Sequence, residues 1–371
     1  MFKKAFIFAR RLDPVLLLLM VVLIFIGIMF IHGSGSQLGG GFARLWKRQT
    51  VWVAAGGLVF ILTATVDYRL LARFSPLLYA GANGVLIALF FIGKTINQAK
   101  SWLDIGPVTL QPSELAKPLI FLFLAWLASR PNQLKTLTGT GIFILAGACP
   151  ALLIAMQPDW GTALVFAPVS AAIAFSGGIP WRYLLVALLA TALALPAGYT
   201  LILKERQRKR IQTFFNPGDD IMGAGYNAHQ SLLAVGSGGP AGKGYRRGNQ
   251  YKLGYLPRTV SQTDFIFSVI GEETGFIGGC MLIAALLGLI GCCLRAAAVA
   301  SDSLGVVLCA GIAAFLFIHT YVNIGMSVGA APIIGIPLPL VSYGGSFTIA
   351  TMACLGLVQN VYARRHDKRI L

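Results

Sequence analysis

The sequence predicts an all-α, polytopic membrane protein with ten transmembrane helices and one long extracytoplasmic loop. Three observations carry that reading. Of the 371 residues, 56% are hydrophobic and only 12% charged, about half the charged share of a soluble domain. The mean hydropathy is +0.75. Apolar runs of roughly 20 residues, the length a helix needs to cross hydrocarbon, recur along the chain. Short polar breaks separate them, except for one long polar stretch at about 204–263.

In chain order the spans fall at 14–32, 50–67, 76–93, 113–129, 138–156, 160–177, 183–203, 272–294, 303–327 and 343–363. Lys3, Lys4, Arg10 and Arg11 precede the first, and no small-residue cleavage site follows it. It therefore reads as a retained helix rather than a removed signal. The fourth opens on Pro112-Ser113-Glu114, a helix-start signal. Asp159 stands where it can cap the sixth. The short apolar piece 265–270 reads as a separate partial helix ahead of the eighth. Before the last span, Gly335-Ile336-Pro337-Leu338-Pro339-Leu340-Val341-Ser342-Tyr343-Gly344-Gly345-Ser346 sets an irregular backbone at membrane depth. Such backbone is allowed only where it is buried in protein or lines a cavity. Residues 1–371 form one integral membrane domain, with no internal repeat and no second soluble domain.

Lys and Arg in short loops orient the chain. Fourteen lie on the side of the two termini and five on the other, namely Arg44, Lys47, Arg48, Lys94 and Lys100. Both ends are thus expected in the cytoplasm and the 204–263 loop outside. That loop carries ten basic residues, beginning Lys204, Arg206, Arg208, Lys209, Arg210. Its length lets it cross regardless of charge, and a basic cluster kept there suits an anionic partner. The net charge of +17 is scattered among loops, which argues for lipid headgroups rather than nucleic acid. The six cysteines lie in apolar stretches with no Cys-x-x-Cys, and the four histidines are scattered. They read as packing residues, and no metal or redox cluster is visible.

Asp264 closes the polar loop at Thr263-Asp264-Phe265-Ile266-Phe267. A carboxylate at a membrane edge is costly unless used or paired, so it is a functional candidate. Glu114 and Lys117 stand at i and i+3 on one helical face and can pair; packing and cavity-lining are both open readings. Gly236-Ser237-Gly238-Gly239-Pro240-Ala241-Gly242-Lys243-Gly244 resembles a phosphate cradle but fails the Walker pattern. It is either a flexible segment or a backbone-amide site for pyrophosphate. Arg208 and Arg210 either clamp phosphate oxygens or rest on the lipid surface. Together these features suggest an enzyme or a carrier working on a charged lipid.

These motifs resemble the SEDS family (shape, elongation, division and sporulation) over nearly the whole chain. They comprise Trp102, Gln111-Pro112-Ser113-Glu114-Leu115-Ala116-Lys117, Gln157-Pro158-Asp159 with Gly161-Thr162, and Gly223-Ala224-Gly225-Tyr226. Gln230-Ser231, Gly236-Ser237-Gly238-Gly239, Thr263-Asp264-Phe265-Ile266-Phe267 and the Pro-Leu-Pro-Leu-Val-Ser-Tyr-Gly-Gly-Ser segment complete the set. Pro337-Leu338-Pro339 is similar to the RodA-like, cell-elongation branch; division members carry Thr before the Leu-Pro.

The resemblance implies a peptidoglycan glycosyltransferase in a bacterial plasma membrane, polymerising lipid II onto a nascent glycan strand. It implies Asp264 as the catalytic base. It further implies Glu114, Lys117, Lys100, Trp102, Arg208, Arg210, Gln230, Lys243 and Ser342 as substrate-binding residues. A divalent cation, Mg or Mn, is implied with ligands unassigned. So are a class B penicillin-binding protein and other elongation-complex membrane proteins as partners. A lipid II flippase without chemistry is the alternative. The chain departs from the family in two places. Its Leu256–Asp264 segment is two residues longer and lacks the usual Glu and His, and Ser101 precedes Trp102 where Arg is usual.

Overall fold

The computed structural model describes residues 11–96, 99–106, 108–201, 205–216, 224–256 and 260–367. Lys3, Lys4, Arg10, Lys204, Gly223, Pro257, Arg258, Thr259, Lys368 and Arg369 lie outside them. Each predicted span falls on a helix. These are α1 (Pro14–Leu38), α2 (Leu45–Thr65), α4 (Ser75–Ile92), α5 (Pro112–Ala128), α6 (Leu137–Met156) and α7 (Trp160–Ser176). The remainder are α8 (Trp181–Leu201), α11 (Ile266–Ala298), α12 (Ser303–Ser327) and α13 (Gly345–Ala363). Six of them, α1, α4, α6, α11, α12 and α13, are long and apolar enough to cross a membrane by length and composition. A short helix α3 (Tyr68–Arg73) lies between α2 and α4.

The start signals act as the residue types require. Asp13 accepts the amides of Val15 and Leu16 ahead of α1, with Pro14 in its first turn. Asp159 accepts the amide of Thr162 at 3.3 Å and so caps α7. Asp302 caps α12 through Gly305 at 2.8 Å.

Two stretches differ from the reading as plain loops. Residues 94–110 form a small antiparallel sheet in the order β1 (Lys94–Ile96), β2 (Ala99–Ile105), β3 (Val108–Leu110). Lys94 pairs with Trp102, and Asp104 with Thr109. The 204–263 stretch contains two helices, α9 (Glu205–Phe215) and α10 (Ala224–Ser237). The partial helix expected at 265–270 is present. It forms the first part of α11, which breaks at Gly275 (φ 69°, ψ −166°) before the long apolar part resumes.

The core is centred on α12 and α13. The apolar window of α13 is 89% buried and that of α12 67%, against 28% for α4, so the outer helices turn most of their surface outward. Between α13 and α2 the backbones come close. A Cβ at Gly356 would lie 2.6 Å from the Phe60 carbonyl oxygen, an approach that only a small residue permits. At the end of the bundle near both termini, Asp13 and Gln359 exchange hydrogen bonds of 2.8 and 2.9 Å. This ties α1 to α13.

Candidate active site

Asp264 lies in the turn that leads into α11, and its backbone is held at three points. Its N–H donates to the Val260 carbonyl at 3.0 Å. The Thr263 carbonyl before it accepts from Ser342 Oγ at 2.6 Å. Its own carbonyl accepts from Asn323 Nδ2 at 2.9 Å. The side chain is half-buried and faces Gly335. A Cβ there would sit 3.2 Å from Asp264 Oδ2, and Gly335 has φ +79°. Only glycine combines that backbone with that approach. Burial pushes the Asp264 carboxyl up to about 6 from the usual 3.8, while the Thr263 hydroxyl and the positive charge of Arg210 pull against it. A carboxylate so placed is poised to take a proton near neutral pH.

The second wall of the site is the irregular segment 331–344. Arg210, from α9, donates to the Ile334 carbonyl at 3.4 Å. It lines a crevice with Thr213, Phe214, Ala228, Ala331 and Ile333. The structure thus brings Arg210 and Asp264 to the same segment. Arg208 lies half-buried on α9 two residues before Arg210, and so on a different face of that helix. Ser342 has a different place from the one expected. It is buried, with Oγ accepting from Leu338 N at 2.8 Å while donating to the Thr263 carbonyl. Its hydroxyl is committed to the backbone beside Asp264, which makes it a positioning group rather than a substrate contact.

Glu114 and Lys117 pair as the spacing requires, at 2.7 Å, with Lys117 fully buried. The same Glu114 oxygen accepts from Thr162 Oγ1 at 3.4 Å. The Lys117 ammonium lies 5.6 Å from the Phe315 ring and 5.8 Å from that of Phe347. The pair therefore joins α5, α7, α12 and α13. Both rings also pack on His319, at 4.7 Å, four residues before Asn323 on α12. The structure places the pair as a buried link between these helices.

The glycine-rich segment is not a phosphate cradle in this structure. It packs on the break in α11. Phe276 N donates to the Gly239 carbonyl at 2.8 Å, Ile277 N to that of Pro240 at 3.1 Å, and Lys243 N to that of Glu272 at 3.0 Å. A Cβ on Gly242 would meet the Glu273 carbonyl at 2.2 Å. These contacts satisfy the amides and carbonyls that the helix break exposes. Lys243 Nζ bonds Glu272 Oε1 at 2.6 Å and Ser237 Oγ at 2.7 Å. Glu272 also accepts from Asn249 N at 2.7 Å, and Glu273 from the Tyr251 hydroxyl at 2.5 Å. Residue 272 is eight positions from Asp264, about 12 Å along the helix. Lys243 therefore anchors the loop to Glu272, and no described contact joins it to Asp264.

Lys100 and Trp102 lie on β2. Lys100 Nζ donates to the Phe90 carbonyl at 2.6 Å, at the last turn of α4, where a cation meets the negative helix end. Trp102 is half-buried. Neither shows a contact with Asp264. Gln230 is half-buried on α10. Its neighbour Ser231 docks that helix through Ser268 Oγ at 2.5 Å and the Ser327 carbonyl at 3.0 Å.

Among the described residues, no three His, Cys, Asp or Glu side chains converge on one point.

Two groups at the site were not singled out from sequence, Asn323 and His319, and Gly335 was read only as part of the irregular segment. Asn323 and His319 carried a usable signal. They are polar residues four apart inside an apolar span, and intramembrane polar groups are functional candidates.

A model of the family described as a cell cycle protein, FtsW/RodA/SpoVE, matches residues 12–367. The chain belongs to the FtsW/RodA/SpoVE family. It is 36% identical over 364 residues to the peptidoglycan glycosyltransferase MrdB of Escherichia coli, covering 98% of this chain and 96% of that one. It is 31% identical to the peptidoglycan glycosyltransferase RodA of Treponema pallidum, covering 95% and 98%. Among solved structures it matches a chain from a study of how a peptidoglycan synthase complex coordinates polymerisation and crosslinking. That match has a TM-score of 0.82 and 30% identity, over 96% of this chain and 99% of that one. Thermus thermophilus RodA matches with a TM-score of 0.71 and 28% identity, over 96% and 98%. As an FtsW/RodA/SpoVE protein the chain is a multi-pass membrane protein.

Proposed function

We propose that this chain is a peptidoglycan glycosyltransferase that polymerises lipid II into glycan strands during cell elongation, with Asp264 as general base. One observation carries the assignment of the base. A single half-buried carboxylate with its affinity for protons raised is fixed by its backbone, with a guanidinium on the segment it faces.

Asp264 takes the proton of the acceptor's sugar 4-hydroxyl as that oxygen attacks the donor's anomeric carbon. The bond from that carbon to the pyrophosphate oxygen breaks, and the pyrophosphate leaves with the electron pair. The proton on Asp264 passes to solvent. Single displacement inverts an α-linked donor to a β-linked product. The leaving group departs as an anion and needs no acid, so one carboxylate suffices where a glycoside hydrolase needs two. General-base help of this kind is worth about 10²–10⁴-fold. Arg210 and Arg208 are assigned to the departing pyrophosphate, where fixed positive charge stabilises the transition state. Glu114 and Lys117 hold the helices that support this wall.

Pro337-Leu338-Pro339 supports the elongation role. The match to a chain from a polymerising and crosslinking complex supports a class B penicillin-binding protein as partner. The excess of Lys and Arg on one side supports ten spans with both termini cytoplasmic, which places Asp264 outside.

The test is purified Asp264→Asn with labelled lipid II, read as polymer on a gel. The change is nearly isosteric and removes basicity and charge. Loss of polymer with normal expression and lipid II binding is expected. Substantial polymer from this variant refutes the assignment, and transport by wild type without polymer returns the flippase reading.

A further inference from the structure

One face of α12 carries Phe315, His319, Asn323 and Ser327 at successive four-residue steps, all buried. Four-residue steps stack side chains along one side of a helix. Two of these groups hold irregular backbone. Asn323 Nδ2 donates to the Ile336 carbonyl at 2.7 Å and to the Asp264 carbonyl at 2.9 Å. His319 Nδ1 lies 3.1 Å from the Pro337 carbonyl. Carbonyls accept only, so the Asn323 amide has its NH₂ toward them and His319 carries its proton on Nδ1. Ser327 Oγ donates back to the Asn323 carbonyl at 2.9 Å.

The need for such donors follows from the sequence. Pro337 and Pro339 have no N–H, and the segment lies where water does not satisfy its carbonyls. The consequence for Asp264 is specific. The carboxylate faces Gly335, and the next two carbonyls of that segment, at residues 336 and 337, are gripped by the same helix face that grips Asp264.

We propose that Asn323, seconded by His319, is a positioning residue for polymerisation: it sets the Asp264 backbone and the 335–337 segment against each other and so fixes where the carboxylate points. This rests on Asp264 as the base. Neither residue touches substrate. Misplacing a reacting group by about 1 Å costs about 10²-fold, so the effect belongs in turnover and not in substrate affinity.

The experiment measures kcat and KM for lipid II polymerisation, with thermal stability, for the purified full chain and four variants. Asn323→Asp keeps shape and removes both donors; kcat is expected to fall about 10²-fold with KM unchanged. His319→Asn places an amide nitrogen where Nδ1 stands, and His319→Gln places it where Nε2 stands. The Asn variant should keep most of the wild-type kcat and the Gln variant should not, at equal stability. That split is one a merely structural histidine would not show. Wild-type kcat in Asn323→Asp, or equal kcat in the two His319 variants, overturns the proposal. If Asn323→Asp does not fold, the His319 pair decides. Asp264→Asn is run alongside: polymer from it refutes the base assignment, whereas inactivity there with full activity in the other variants refutes the positioning role alone.

Discussion

Two stretches of this chain are glycine-rich, irregular and next to an acid, and they do different work. In 236–244 the glycines let one backbone lie against another, and the contacts go to the break in α11 at Gly275. In 331–344 the glycine at 335 lies against the Asp264 carboxylate, and the backbone is held from outside by side chains of α12. The first segment is spent on structure, and its acid, Glu272, is matched by Lys243 and backbone amides. In the second, the acid's backbone is satisfied while the described bonds to its carboxylate are few. Glycine content says that a backbone comes close to something. Only the partner says whether that is a ligand site.

The comparison can be broken by substitution. The largest effect is expected beneath the second segment. Lys117→Ala leaves Glu114 buried and unpaired, at about 3–5 kcal/mol, read as a fall in denaturation midpoint. The double variant Glu114→Gln, Lys117→Met should recover stability. If it recovers full polymerisation as well, the charge itself is not needed. Next is Gly242→Ala in the first segment. Its φ of +80° and the close Glu273 carbonyl imply a cost of about 2–3 kcal/mol, seen in stability, with activity per folded molecule kept. A stable Gly242→Ala that cannot bind lipid II would return this segment to the phosphate-cradle reading. Smallest is Lys243→Met, about 2 kcal/mol, because Glu272 keeps its two amide donors from residues 249 and 250. Its KM for lipid II should stay at the wild-type value.

The helices at the predicted spans were legible because apolar length is a local property, and six of them are long and apolar enough to cross a membrane. So were the Glu114–Lys117 pair, the Asp159 cap and the partial helix before the eighth span, which all follow from spacing within one turn or from a nearby glycine. The sheet at 94–110 was hidden by short strands that carry Lys94, Lys100 and Asp104. The helix α9 was hidden by its polar composition, and α10 by its 14-residue length, too short to read as a span. The roles of Ser342, Lys243 and Lys100 were out of reach for a different reason. Each is set by a partner distant in sequence or by a backbone carbonyl: Thr263, Glu272 and Phe90 respectively. Asp264 itself was legible as a carboxylate at a membrane edge, but Gly335 and Asn323, which shape its surroundings, are 71 and 59 residues away.

The pH dependence of kcat/KM for lipid II polymerisation tests the role of Asp264 most directly. Burial raises this carboxyl to about 6, and only its ionised form can accept the proton. Activity should therefore fall about tenfold per pH unit below 6, because the base is progressively protonated, and level off above about pH 7. An acid limb with its midpoint near 6 is the predicted result. A rate that stays constant down to about pH 4, where only an ordinary exposed aspartate begins to protonate, would contradict Asp264 in this half-buried setting acting as the base.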